Sequence, residues 1–264
     1  MYNRIVDRAA PHTPPALLTV RDWLLVALAF ASGMYEAISF LSFGKVFTAF
    51  QTGNIVFLGL AAVGTRPPAG PNPVSVVVSL AAFAIGAMIA IPLLKLLDGD
   101  EEVEDKDVVH VWPRRVSVAL GVALAAQLCF LVIWVAASPS TDVTYVLLGL
   151  GAFALGLQMN AVRSLHVPAI STTAATATYI SLVSGLATWS LTRVAVRRML
   201  GVLVAMALGA LLATWMLGHA HTFVPVVPAL VLAIVIVIAS VALKERPAPQ
   251  PEPLVMAGGK WEAN

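Results

Sequence analysis

Several long stretches of this chain carry no charged residue, among them residues 116–141, 167–192 and 222–243, and they limit what it can fold into. Each is longer than the roughly 18 apolar residues that predict a membrane-spanning helix. Charged residues make up only 11% of the chain, whereas soluble domains contain about 25%. We therefore predict an all-α integral membrane protein, since a transmembrane barrel would show short alternating segments instead.

Hydropathy predicts eight apolar segments: 23–43, 48–64, 74–97, 116–137, 143–165, 172–189, 199–217 and 223–243. The N-terminal residues lack an early apolar run, which predicts a cytoplasmic tail in place of a cleaved signal peptide. The predicted organisation is a cytoplasmic tail (1–21), a first repeat core (22–97), a charged cytoplasmic loop (98–115), a fourth segment that closes the first half (116–137), a second repeat (143–243) and a disordered cytoplasmic tail (244–264).

The distribution of lysine and arginine favours six crossings over eight. With eight crossings, six basic residues would lie outside, including four between residues 95 and 115. If segments 48–64 and 172–189 instead re-enter and return to the same side, only Lys45 and Arg66 lie outside, and fourteen of the sixteen basic residues lie inside. Cytoplasmic loops retain these residues, so we predict that both termini are cytoplasmic. Two ordinary short spanning helices remain the alternative, because 17 or 18 residues are just enough to cross.

A weak internal repeat supports the same topology. Shifting the chain by 124 positions places Glu36 on Asn160 and Thr52 on Thr176, so that polar residues recur within apolar sequence. Internal repeats of this kind are typical of membrane transporters. Together with the six-crossing topology, the repeat predicts six transmembrane helices plus two short re-entrant or half-spanning segments, arranged as two inverted repeats.

Several short motifs resemble the YoaK family of bacterial membrane proteins over about residues 22–243. They are Gly33-Met34-Tyr35-Glu36-Ala37, Gly44, Phe47, Thr52-Gly53-Asn54 and Gln158-Met159-Asn160-Ala161. The resemblance implies about six spans in a bacterial inner membrane, and it implies no known biochemical function. The family usually has aspartate where this chain has Glu36, and often Thr-Gly where this chain has Thr176-Ala177.

Glu36 is the first candidate functional residue, because an ionisable group within a membrane helix is costly. Its alternative role is that of a structural acid bound to the re-entrant backbone. The polar residues at the starts of the two re-entrant segments are predicted near the membrane middle, where helix N-termini attract polar or anionic ligands. Close helix packing is the alternative for these residues. The predicted solute or ion pathway comprises Glu36, Gln51, Thr52, Gly53, Asn54, Asn160, Thr172, Thr173 and Thr176.

These features predict a transporter or channel for a small polar or anionic solute, proton-coupled through Glu36. The alternative is a non-transporting membrane scaffold or accessory subunit. We expect no enzymatic activity, because the sequence lacks a nucleophile with a partner base, a metal-binding histidine motif and a Gly-rich nucleotide loop. We expect neither a cofactor nor a metal, and Cys129 is the only cysteine. The expected partners are the lipid bilayer and an unknown small solute rather than nucleic acid, and a homo-oligomer is left open.

Overall fold

The computed structural model describes residues 15–63, 71–96, 111–167, 175–189 and 191–243. Within these residues the chain forms α-helices joined by turns, with one short 3-10 helix (His221–Phe223). The α-helices are α1 (Pro15–Ser42), α2 (Gln51–Ala62), α3 (Pro73–Leu96), α4 (Arg114–Ala136), α5 (Thr141–Arg163), α6 (Ala175–Ala187), α7 (Arg193–His219) and α8 (Val226–Ala242). Six of these regions are long and apolar enough to cross a membrane, namely α1, α3, α4, α5, α7, and α8 with the 3-10 turn before it. The predicted all-α membrane fold is confirmed.

The two remaining helices are too short to cross the bilayer alone. Helix α2 has 12 residues and α6 has 13. At 1.5 Å per residue they are about 18 to 20 Å long, whereas the hydrocarbon core is about 30 Å thick. A shorter apolar helix beside the six long ones is confirmed at α6, and the re-entry of both short segments stays a prediction.

Two predicted helix starts were wrong. Helix α1 begins at Pro15 rather than near Asp22, so part of the predicted N-terminal tail is helical. Helix α7 begins at Arg193 rather than Met199, and the Thr192 hydroxyl caps it by accepting the Ala195 N–H. Hydropathy excluded these turns because they contain charged residues, although arginine is a good helix former. The other boundaries agree within about three residues. The predicted tails before residue 15 and after residue 243, and the loop at 97–110, lie outside the described residues.

Helices α1 and α7 pack in parallel. Asp22 lies beside Arg198 near the start of both helices, and Gly201 faces Val26 one turn farther along. The closest approach follows at two glycines: an added Cβ on Gly33 would overlap the Met206 carbonyl, and one on Gly209 would overlap the Phe30 carbonyl. Small residues permit this contact between membrane helices.

Helices α3 and α5 form a second parallel pair with the same kind of contact. A Cβ on Gly86 would overlap the Phe153 carbonyl, and one on Gly156 would overlap the Phe83 carbonyl. Two further glycines of α5 lie at packing contacts, since Gly149 faces Val78 and Gly151 faces Tyr35. All four close contacts are related by a shift of 123 positions, one fewer than the sequence alignment indicated.

The directions of the helices show at which end of the bundle each connecting segment begins and ends. Along α5, Gly151 faces Tyr35 and Gln158 donates to Ser32, so α5 runs antiparallel to α1. Because α3 is parallel to α5, the end of α1 and the start of α3 lie at the same end of the bundle. The chain through α2 therefore returns to the side it left, and the same argument applies to α6 between α5 and α7.

Helix α4 runs parallel to α1, because Tyr35 contacts Phe130 and Phe43 contacts Trp134 farther along both helices. The starts of α1, α4 and α7 and the ends of α3 and α5 therefore share one end of the bundle, here called the basic end. It carries Arg21, Lys95, Arg114, Arg115, Arg163, Arg193, Arg197 and Arg198, whereas Lys45 is the one described lysine or arginine at the opposite end. One apolar core cluster extends from Leu24 to Leu243 nearer the basic end, and a second surrounds Tyr35 and Phe130.

Candidate functional site

The site is built around the non-helical turn at residues 43–50. Helix α1 ends where Gly44 and Lys45 adopt left-handed backbone conformations, with φ values of 82° and 64°. Glycine does so without strain, which explains why the helix stops here. Helix α2 then begins at Gln51 rather than at residue 48, because the backbone before it is bound by side chains instead of by helical hydrogen bonds.

Glu36 of α1 binds this turn directly. Its carboxylate accepts the backbone N–H of Ala49 at 2.6 Å, the backbone N–H of Thr48 at 3.2 Å and the Thr48 hydroxyl at 3.2 Å. Glu36 is only 4% exposed. N–H groups just before α2, which were predicted to attract an anionic ligand, therefore donate to a carboxylate of the protein itself.

Asn54 and Ser79 satisfy the rest of the turn. The Asn54 side chain accepts the Phe47 N–H at 3.1 Å and donates to the Phe47 carbonyl at 2.7 Å. Ser79 of α3 donates to that same carbonyl at 2.6 Å, and Gln51 donates to the Thr48 carbonyl at 2.8 Å. Side chains from three helices thus replace the hydrogen bonds that a regular helix would have made.

The turn lies deep in the bundle. The Thr48 methyl packs against Gly151, which is close to the midpoint of α5. Non-helical backbone at such a depth in a membrane is tolerated only where protein covers it or where it lines a water-filled cavity. The polar residues Glu36, Asn54 and Ser79 therefore meet a structural requirement of this turn.

A second group of buried polar side chains, here called the polar layer, lies next to the turn. It comprises Ser32, Tyr35, Gln127 and Gln158. The Tyr35 and Phe130 rings are in edge-to-face contact, with centroids 5.4 Å apart. Gln127 lies one turn before Phe130 on α4, and Ser32 lies one turn before Tyr35 on α1. Because α1 and α4 are parallel, both side chains lie on the side of this aromatic pair that faces the basic end.

Several atoms of the polar layer have no hydrogen-bond partner among the described residues. Both amide atoms of Gln127, the Tyr35 hydroxyl and the Gln158 side-chain oxygen are buried in this way. Gln158 does donate to Ser32 at 2.9 Å. Buried polar groups are nearly always paired, so this concentration of unpaired donors and acceptors needs a physical explanation.

The structure brings together only part of the predicted pathway. Glu36, Gln51 and Asn54 join the network, and Gly53 packs against the Phe47 ring. Thr52 and Thr176 are exposed on α2 and α6 rather than directed into the network. Asn160 donates to the Ala87 carbonyl across the α3–α5 pair. Thr172 and Thr173 lie outside the described residues.

Comparison with known proteins places the chain in a family. The model of a family described as a protein of unknown function, DUF1275, matches residues 24–238. The chain belongs to the DUF1275 family. It is 34% identical over 162 residues to the UPF0700 transmembrane protein YoaK of Bacillus subtilis (strain 168), an alignment that covers 61% of this chain and 65% of that protein. The resemblance to YoaK is confirmed, and no solved structure matches.

Proposed function

We propose that this protein is a transporter or channel for a small polar or anionic solute, with its pathway where α1, α4 and α5 meet. The observation that carries the proposal is the polar layer. Gln127 offers one unpaired donor group and one unpaired acceptor, Tyr35 offers a hydroxyl and Gln158 an amide oxygen. Leaving such groups buried and unpaired costs about 1 to 3 kcal/mol each, so a solute or water that bound them would recover this energy.

The arrangement of the helices supports a transport pathway. We propose that α1–α4 and α5–α8 are inverted repeats. Helices α1 and α5 run antiparallel, and the glycine–carbonyl contacts of the α1–α7 pair recur in the α3–α5 pair. Transporters built from inverted repeats carry their substrates near the bilayer midplane between the halves. The polar layer comprises buried side chains of α1 and α4 from one half and of α5 from the other.

Proton coupling through Glu36 forms a second part of the proposal. Every described hydrogen bond to its carboxylate comes from an N–H or O–H donor. A proton added to Glu36 would turn one acceptor oxygen into a donor and weaken the hold on the turn before α2. Arg21, another buried charged residue, lies fifteen positions earlier on α1 and about 22 Å away along that helix.

We further propose a multi-pass protein of the bacterial plasma membrane with the basic end in the cytoplasm. Cytoplasmic ends of membrane proteins are rich in lysine and arginine, and the described basic residues divide eight to one between the two ends. Helix α1 starts and α8 ends at the basic end, where Leu24 and Leu243 share one core cluster, and this supports cytoplasmic termini. We propose that the protein is not an enzyme.

A non-transporting scaffold or accessory subunit is the second candidate, and the hydrogen bonding of the turn favours it. Glu36, Asn54 and Ser79 are fully engaged with the backbone of residues 47–49. Residues whose hydrogen bonds only stabilise the fold are expected in a scaffold. Gln127, however, forms no such bond among the described residues.

Flux measurements on proteoliposomes can distinguish the two candidates. The purified wild type is compared with empty liposomes for glycerol, urea and formate, and with two variants. Gln127→Leu removes the unpaired amide, whereas Thr214→Val removes an exposed hydroxyl that only bonds its own helix. We expect wild-type flux of at least one solute, a reduction of about tenfold or more in Gln127→Leu, and no change in Thr214→Val.

The thermal stability of the variants completes this test. Gln127→Leu should unfold at the wild-type temperature or above it, since an apolar side chain removes two unpaired polar atoms. Equal flux in wild type and Gln127→Leu would show that the polar layer is not part of the pathway. Absence of flux for all three solutes together with a destabilised Gln127→Leu would favour the scaffold.

A further inference from the structure

At the basic end, two arginines share one carboxylate. Arg21 donates to Asp22 Oδ1 through Nε at 3.3 Å and through Nη2 at 3.2 Å. Arg198 of α7 reaches the same oxygen at 3.6 Å. The side chains of Arg21 and Arg198 are only 7% and 8% exposed. Among the described residues, two positive charges therefore face one negative charge in a largely buried place, which leaves a net charge of +1.

Arg198 has fewer hydrogen bonds among the described residues than Arg21 has. Its contact with Asp22 is an ion pair beyond hydrogen-bond distance, and its buried Nε has no hydrogen-bond partner among the described residues. A guanidinium carries five N–H donors, and a buried charge is costly unless it is paired and hydrogen-bonded. The group therefore lacks an acceptor, and an anionic acceptor would also balance the charge.

The depth of this cluster matches the level of lipid headgroups. Asp22 lies thirteen residues before Tyr35, which is about 20 Å along the helix. Tyr35 packs against Gly151 near the midpoint of α5, and half the hydrocarbon core is about 15 Å. Trp23, next to Asp22, is 64% exposed, as expected of an aromatic residue at the membrane interface.

We propose that Arg21 and Arg198 bind a phosphate group between α1 and α7. Arginine binds phosphate oxygens through paired, charge-assisted hydrogen bonds, which fits the free Nε of Arg198. The phosphate can belong to an anionic lipid headgroup or to a free phosphate ion, and both present the same oxygens. This site is separate from the polar layer and does not depend on transport.

Thermal unfolding of the full-length protein in a neutral detergent tests the proposal. The probes are phosphatidylglycerol in mixed micelles, inorganic phosphate, and, as controls, phosphatidylcholine and sodium chloride at equal ionic strength. Arg198→Gln removes the site, and Arg197→Gln removes an equal charge from an exposed neighbour. We expect phosphatidylglycerol to raise the wild-type unfolding temperature by about 4 °C or more near saturation. Arg197→Gln should keep this shift and Arg198→Gln should lose it.

The remaining outcomes are equally informative. A shift with inorganic phosphate as well would assign the site to any phosphate, whereas a shift with phosphatidylglycerol alone would assign it to a lipid. Arg198→Lys keeps a charge near Asp22 but lacks Nε, so it should fold and lose most of the shift even if Arg198→Gln does not fold. If the wild type responds equally to phosphatidylglycerol and phosphatidylcholine, and to phosphate and chloride, the proposal is wrong. Equal shifts in the Arg197 and Arg198 variants would also overturn it.

Discussion

At the scale of single residues, Glu36 is defined by what surrounds its carboxylate. All its described partners donate, and two of them are backbone N–H groups that have no other described acceptor in the turn. A carboxylate can accept every one of these bonds, whereas a carboxamide offers one acceptor oxygen and an NH₂ group that can only donate. The ionised side chain therefore matches the turn better than any neutral substitute.

Replacing Glu36 by glutamine should consequently destabilise the protein. The NH₂ group would face a donor, and losing one hydrogen bond to a charged group costs about 1.5 to 3 kcal/mol. Ser39→Ala is the control, since the Ser39 hydroxyl is equally buried but only bonds a carbonyl of its own helix. Thermal unfolding in detergent should show a clear loss for Glu36→Gln and a small one for Ser39→Ala. A Glu36→Gln protein as stable as wild type would indicate that Glu36 is protonated in the resting state.

A substitution at Asn54 should destabilise the other side of the turn in a comparable way. Its amide accepts from and donates to Phe47, so it caps both backbone groups of one residue. Asn54→Asp keeps the acceptor but places a carboxylate oxygen beside the Phe47 carbonyl and the Gln51 side chain. We expect Asn54→Asp to unfold at a lower temperature than wild type and to express less folded protein by size-exclusion chromatography. Asn54→Asp with wild-type stability would argue against the observed amide orientation.

At the scale of helices, four glycines decide how closely the parallel pairs approach. Gly33 and Gly209 join α1 to α7, and Gly86 and Gly156 join α3 to α5. Each faces a backbone carbonyl that cannot move aside as a flexible side chain would. Any side chain at these positions must push the helices apart.

Alanine at Gly33 or Gly156 should therefore destabilise the bundle. Overpacking of a tight contact costs about 1 to 3 kcal/mol. Gly121→Ala in α4 is the matched control, because no atom lies within 4 Å of its added methyl. Alanine also favours helix over glycine, so Gly121→Ala should be neutral or slightly stabilising. Equal unfolding temperatures for Gly33→Ala and Gly121→Ala would contradict the close contact.

Sequence patterns predicted the helices better than the site. Long charge-free runs located the spanning helices, because lipid requires apolar side chains along the whole segment. The exposure of Thr52 could not be predicted, because a short apolar helix has no polar face from which its orientation can be read. Ser79 and Gln127 were missed because each is a single polar residue in an apolar run, and their partners or neighbours are distant in sequence. A search for isolated polar residues within apolar helices would have found both.

At the scale of the whole molecule, the helix directions and the basic residues distinguish the same two ends of the bundle. Packing alone places the starts of α1, α4 and α7 and the ends of α3 and α5 at one end, without reference to charge. Eight of the described basic residues lie at that end. Exposed tryptophans lie near both ends of the bundle, with Trp23 and Trp189 near the basic end and Trp215 near the other. Such positions are typical of the aromatic belts at the two membrane interfaces.

This agreement predicts which positions an impermeant thiol reagent can reach in intact cells. In a Cys129→Ser background, Ser138→Cys lies in the turn between α4 and α5 at the end opposite the basic one, and Lys95→Cys lies at the exposed basic end of α3. Ser138→Cys should be labelled in intact cells, because lysine and arginine are retained on the cytoplasmic side. Lys95→Cys should be labelled only after the membrane is permeabilised. Labelling of Lys95→Cys but not Ser138→Cys in intact cells would invert the topology, and labelling of both would show that the helices do not cross the membrane as the packing requires.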